Sequence, residues 1–168
     1  MAVTGIISKP EVVRYGGARE ERYAYVDGGV IAAGDLIRLT TAGEIKIAAV
    51  DSSAAGSVHG IALAAVASEV NETIPVLLFA EDTVVAIQCV DTVAPEDLAK
   101  GQTYTLETSG GVWGITSTTT NGNATVRDYA ATGVPWSDAT SVYGQDITVN
   151  NNKVLVTFAQ AILDGNAA

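Results

Sequence analysis

From Val26 onward the chain is written in short apolar or alternating words separated by turn residues. Gly34-Asp35 opens Leu36-Ile37-Arg38-Leu39-Thr40, Thr41-Ala42-Gly43 closes it, and Glu44-Ile45-Lys46-Ile47-Ala48 alternates polar with apolar. That pattern predicts a hairpin with one buried face. Further strand words follow at residues 58–63, 73–79 and 83–90. The run 84–90 is almost wholly apolar and predicts a central strand. Pro75 removes a ladder donor, so its strand belongs at a sheet edge or the proline lies near the strand start.

The chain then echoes itself. Residues 100–110 can be laid on residues 33–43, with Gly34 and Gly101, Leu39 and Leu106, Thr41 and Thr108, and Gly43 and Gly110 coinciding. Two copies are too few for a solenoid, so a repeated hairpin within one barrel or sandwich is expected. Residues 117–152 read as an irregular, loop-rich insertion that opens with a polar loop at 117–123. Residues 146–149, an asparagine turn and residues 153–158 read as a closing hairpin. Helix signals are confined to residues 94–99, where Pro95 near a first turn supports one short turn. The fold class is therefore all-β, a small β-barrel, β-tulip-like or sandwich domain with at most one or two short helices.

Residues 1–26 differ from the rest. They carry Lys9, Arg14, Arg19 and Arg22, the tyrosines Tyr15, Tyr23 and Tyr25, and the pair Gly16-Gly17, without a sustained period. This reads as an extended N-terminal arm preceding a single β domain at 27–168, with a first edge strand as the other reading.

Charge and composition narrow the partners. A net charge of −10 over 168 residues leaves no cationic surplus for phosphate backbones, so nucleic acid is not expected as a ligand. No basic leader precedes a long apolar stretch and no apolar run approaches the ~20 residues needed to cross a bilayer, so no membrane partner is expected. Charged residues make up only 17% of the chain against 48% hydrophobic, a balance suited to surface that is covered by a protein partner.

Candidate chemistry is sparse. His59 is the one histidine and Cys89 the one cysteine, so zinc held by several nitrogen and sulfur ligands is not expected, and no metal site is assigned. His59 precedes Gly60 and small apolar residues rather than a nucleophile signature, so no catalytic residue is assigned and the chain is expected not to be an enzyme. A small hydrolase would need His59 in a cleft beside a nucleophile. Acidic neighbours such as Glu81-Asp82 lack calcium-loop spacing, and the glycine pairs match no phosphate or dinucleotide loop. No cofactor is implied. Trp113, Trp136 and Tyr143 fit a core or a subunit interface, with a carbohydrate-stacking platform as the alternative.

The word at residues 30–39, followed by Gly43-Glu44-Ile45-Lys46-Ile47-Ala48 and by His59-Gly60-Ile61-Ala62-Leu63, resembles the capsid decoration, or cement, proteins of tailed bacteriophages. The resemblance covers residues 26–90. It implies a β-tulip or barrel-like domain that forms a homotrimer on the outer surface of the virion capsid, binds the major capsid protein and bridges capsomers. With that implication, Arg14, Tyr15, Arg19, Arg22, Tyr23 and Tyr25 become the candidate capsid-binding residues, because arginine and tyrosine dominate interface anchors. A carbohydrate-binding head or fibre module is the alternative function.

Overall fold

The computed structural model describes residues 9–26, 30–48, 58–67, 72–90, 93–109, 112–129 and 153–158. They form fourteen strands and one 3-10 turn, Pro95–Asp97. In chain order the strands are β1 (Glu11–Arg14), β2 (Arg19–Ala24), β3 (Val30–Ile31), β4 (Leu36–Leu39), β5 (Ile45–Ile47), β6 (Gly60–Ala62) and β7 (Val66–Ala67). They continue as β8 (Thr73–Leu78), β9 (Val84–Cys89), β10 (Thr103–Tyr104), β11 (Leu106–Ser109), β12 (Val112–Ile115), β13 (Ala124–Tyr129) and β14 (Lys153–Phe158). The all-β expectation and the single short helical turn hold.

Two sheets carry the fold, and each curls toward closure. The first runs β2-β8-β6-β4-β5, and a parallel bridge between Tyr25 and Ile45 joins its two ends. The second runs β10-β13-β14-β9-β12-β11. Its ends meet because β10 and β11 are consecutive, interrupted at Thr105, whose N–H bonds to the Thr118 carbonyl at 2.8 Å. A small pair, β3-β7, stands beside them. Closure removes unpaired edges, which is how antiparallel sheets of this size avoid sticking to one another.

The echo at Gly34 and Gly101 extends through both sheets. The Gly34 N–H donates to Ala62 O at 2.8 Å and the Ala62 N–H to Asp35 O at 2.9 Å. In the second sheet Gly101 donates to Val126 O at 2.7 Å and Val126 to Gln102 O at 3.0 Å. Both glycines have positive φ, +92° and +86°, at the third position of a turn closed by Asp35 N–H to Ala32 O and Gln102 N–H to Ala99 O. Strand pairing follows suit. Leu39 faces Ile45 where Leu106 faces Ile115, Gly60 faces Leu78 where Ala124 faces Phe158, and the parallel Tyr25–Ile45 bridge matches Cys89–Ile115. Strand for strand, β2, β4, β5, β6 and β8 correspond to β9, β10–β11, β12, β13 and β14. The repeat is thus a five-stranded barrel-like unit rather than a hairpin.

The buried residues obey the same correspondence. Tyr25, Ile37, Leu39, Ile45, Ala62, Ile74, Val76 and Leu78 fill the first unit, and their counterparts Cys89, Tyr104, Leu106, Ile115, Val126, Val154, Val156 and Phe158 fill the second. The opposite face of the first sheet, Leu36, Ile61 and Leu77 with Phe79 beyond it, joins the second unit's cluster, where the Phe79 and Phe158 rings stack at 5.5 Å. The outer face of the first sheet and the second unit therefore share one apolar cluster, while the first unit's interior is a cluster of its own, with half-buried Ile47 packed against both.

Two expectations need correction. The extended arm at 1–26 is backbone-extended but not free. β1 pairs antiparallel with β9 and β2 with β8, so residues 11–24 belong to the sheets, and residues 1–8 lie outside the described residues. Within the insertion assigned to 117–152, residues 124–129 form β13, a strand with neighbours on both sides, because Ala124 and Val126 alternate inward between exposed or half-buried partners. Residues 130–152 lie outside the description. Of the expected closing hairpin, residues 153–158 form β14 between β13 and β9, and residues 146–149 lie outside the described residues. Of the two readings of Pro75, the one near the strand start holds: β8 is interior and Pro75 is its third residue. Pro75 is tolerated because its carbonyl, bonded by Leu63 N–H at 3.0 Å, points past the end of β6, so the missing N–H falls beyond that ladder.

Gly60 and Gly101 differ in what they require. A Cβ on Gly60 would sit 2.3 Å from the Leu77 carbonyl oxygen, whereas one on Gly101 meets nothing within 4 Å and only the positive φ opposes it. Gly101→Ala is expected to cost about 1–2 kcal/mol and Gly60→Ala more, because backbone must move; urea unfolding of the two variants checks this order.

Candidate protein-interaction surface

The turn joining β1 to β2 is held against the turn joining β8 to β9. The Gly17 N–H donates to Asp82 Oδ1 at 2.8 Å, Thr83 Oγ1 donates to Tyr15 O at 2.9 Å, and Ala18 N–H closes the turn onto Tyr15 O. Gly16, with φ of +53°, lies so close to the Asp82 carboxylate that a Cβ would meet it at 2.4 Å. In the fold these glycines permit a close approach that fixes the turn, and with it the side chains on either side.

Those side chains are Arg14, Tyr15, Arg19 and Arg22, all exposed, with Tyr15 at 49%. Arg22 reaches along its strand to donate to the Thr73 carbonyl at 3.0 Å. Arg19 pairs with Glu21 at 2.7 Å, and the Tyr23 hydroxyl donates to the other oxygen of the same carboxylate. Burial, then the hydrogen bond and charge of Glu21, push the Tyr23 phenol up to about 12 while Arg19 opposes them, so the hydroxyl stays a neutral donor. Arg19, Glu21 and Tyr23 form one preorganised polar set. At the positions equivalent to Glu21 and Tyr23 the second unit has Val85 and Ile87, so this polarity is a departure from the repeat.

Tyr25 is removed from the candidates. It is 1% exposed in the first unit's core, because the parity of β2 turns residues 21, 23 and 25 inward and by Tyr25 the barrel has closed over them. Tyr23 is half-buried and acts through Glu21 rather than as a free anchor. Arg14, Tyr15, Arg19 and Arg22 remain exposed, with Arg19 and Arg22 at positions of opposite parity on β2.

Beside Arg14 lies an open cavity of about 290 Å³ with Val84 and Leu155 at its base and Glu81, Asp82, Arg127 and Asp128 around it. Arg127 is held by Thr157 Oγ1 at 2.8 Å, and Asp128 by Lys100 at 2.8 Å. Charges of both signs around a small apolar base suit a polypeptide side chain better than a single class of ion.

The aromatic platform does not form around Trp113. Its side chain is 1% exposed in the shared core, while Trp136 and Tyr143 lie outside the described residues. Cys89 is buried within the second unit, as expected of a thiol in an apolar strand. No group of three or more His, Cys, Asp or Glu side chains is placed to hold a metal ion among the described residues.

His59 is fully buried, not in a cleft. Its backbone N–H bonds to Ile37 O as that of Asn123 bonds to Tyr104 O, so the two are equivalent residues of the repeat. Its Nδ1 accepts the Leu39 N–H at 2.7 Å, which assigns the ring proton to Nε2. Burial, and secondarily Arg38, lower its pKa to about 4. The neutral ring is the folded form, and the unfolded chain takes up a proton below about pH 6.5. Stability attributable to His59 is therefore complete above pH 6.5 and falls by roughly 1.4 kcal/mol per pH unit toward pH 4. His59→Asn, which installs the residue of the equivalent position, should flatten that part of the profile in urea midpoints measured from pH 4 to 7; an unchanged slope would assign it to the carboxylates.

No protein-family model matches this chain, and no curated protein matches it either.

Proposed function

We propose that the chain is a structural decoration or cement protein of a phage head, binding the outer capsid surface as an oligomer and bridging capsomers. The proposal rests on the resemblance carried by residues 26–90. The observation that favours it is the exposure of Arg14 and Tyr15 at a turn fixed by Asp82 and Thr83, with Arg19 and Arg22 exposed on the strand that follows. Arginine and tyrosine on rigid backbone lose little entropy on docking, and several copies on one shell multiply modest contacts through effective concentration. The partner is then the major capsid protein, with a homotrimer as the binding unit. The carbohydrate-binding alternative loses Trp113 to the core.

Deleting residues 2–25 would remove β1 and β2 and so test folding instead of docking. Exposed-residue substitution is cleaner. Arg14→Glu combined with Tyr15→Ala is expected to leave thermal unfolding within a few degrees of the parent and to reduce co-sedimentation with capsids by tenfold or more, on the order expected from losing two anchors. Undiminished co-sedimentation of a folded variant would refute this surface as the contact, and absence of binding by the parent chain would refute the function.

A further inference from the structure

We propose that the edge of β2 that no described strand pairs is a docking site for an extended strand of a partner protein, paired antiparallel and carrying an acidic residue opposite Arg22 and a basic residue opposite Glu20.

The repeat singles out this edge. β9, the counterpart of β2, is paired along both edges. β14 takes one, and the other is divided between β1 at Val84–Ala86 and β12 at Gln88–Cys89. On β2 one edge is taken by β8 over the strand's whole length. On the other, Tyr25 meets Ile45 as Cys89 meets Ile115, but no described strand stands where β1 stands on β9. Backbone direction locates the groups along this edge. Tyr25 N–H points to β8, bonding Glu72 O, and Val26 N–H points the other way, bonding Ile45 O. By alternation the N–H and C=O of Glu20 and Arg22 face this edge. These residues correspond to Val84 and Ala86, which pair with β1.

The chemistry of the occupant follows from the same comparison. On β9, Glu11 of β1 lies opposite Ala86 and Arg14 opposite Val84, with a bulge between. Carried to β2, that register sets an acid against Arg22 and a base against Glu20. Cross-strand pairs of opposite charge stabilise and like pairs oppose. Charged edges ordinarily repel stray strands; alternating signs make this one selective. The occupant is not β1 of a second copy, because the Glu11 and Arg14 backbone already faces β9 and the Glu11 carboxylate acts on buried Lys153. The inference concerns any partner strand and does not depend on the capsid reading.

The probe is a synthetic peptide of residues 9–16, Lys-Pro-Glu-Val-Val-Arg-Tyr-Gly, against the same peptide with its Glu and Arg exchanged. Amide chemical shifts of the full-length protein are followed during titration. Shifts are expected at residues 20–24, with about tenfold tighter binding of the first peptide, as two cross-strand pairs allow. The double variant Glu20→Lys with Arg22→Glu should reverse that preference, an outcome that loss of folding cannot produce. Equal affinity for both peptides, no binding at millimolar peptide, shifts confined to residues 84–86 through displacement of β1, or concentration-dependent self-association through residues 20–24 would each overturn the proposal. None of these results bears on capsid co-sedimentation, so the two readings fail separately.

Discussion

Edge pairing governs this molecule. Every residue of β9 is buried, so each of its backbone groups needs a partner within the protein, since a buried unpaired donor costs about 1–3 kcal/mol. No single strand covers its second edge. β12 arrives in parallel at one end and β1 antiparallel at the other, and the segment before the repeat is drawn into the sheet for that purpose. With β1 in place, the turn from Tyr15 to Ala18 is set against the β8–β9 turn, and the arginines around it acquire fixed positions.

Duplication explains how a chain with few helices buries so much. Each unit repeats one glycine turn and one pattern of edge bonds, and the inward positions match residue by residue between units. The departures from the repeat are then informative. Glu21 and Tyr23 stand where the second unit has Val85 and Ile87, His59 where it has Asn123, and among the described residues no strand lies on β2 as β1 lies on β9. On β2 the polar departure gathers at Arg19, Glu21 and Tyr23.

Much of this was legible along the chain. The strands at 36–39, 45–47, 60–62, 73–78 and 84–89, the 3-10 turn and the echo of Gly34 in Gly101 are local features written in hydrophobic period and turn residues. β13 escaped because its two inward residues, Ala124 and Val126, are small and sit among Thr, Arg and Asp. Tyr25 was grouped with the exposed tyrosines because nothing in residues 19–25 says which parity faces inward; β8 decides that by pairing with β2.

The sequence by itself determined the strands, their turns and the scarcity of groups from which a mechanism could be assembled, because these depend on neighbours a few residues apart. The tertiary structure alone decided that residues 11–24 are sheet and not arm, that His59 and Trp113 are core, and that no other described strand covers the second edge of β2 at Glu20 and Arg22. Those outcomes rest on pairings between segments tens of residues apart. An edge is open or filled only relative to a partner, and no residue carries that information within its own stretch of chain.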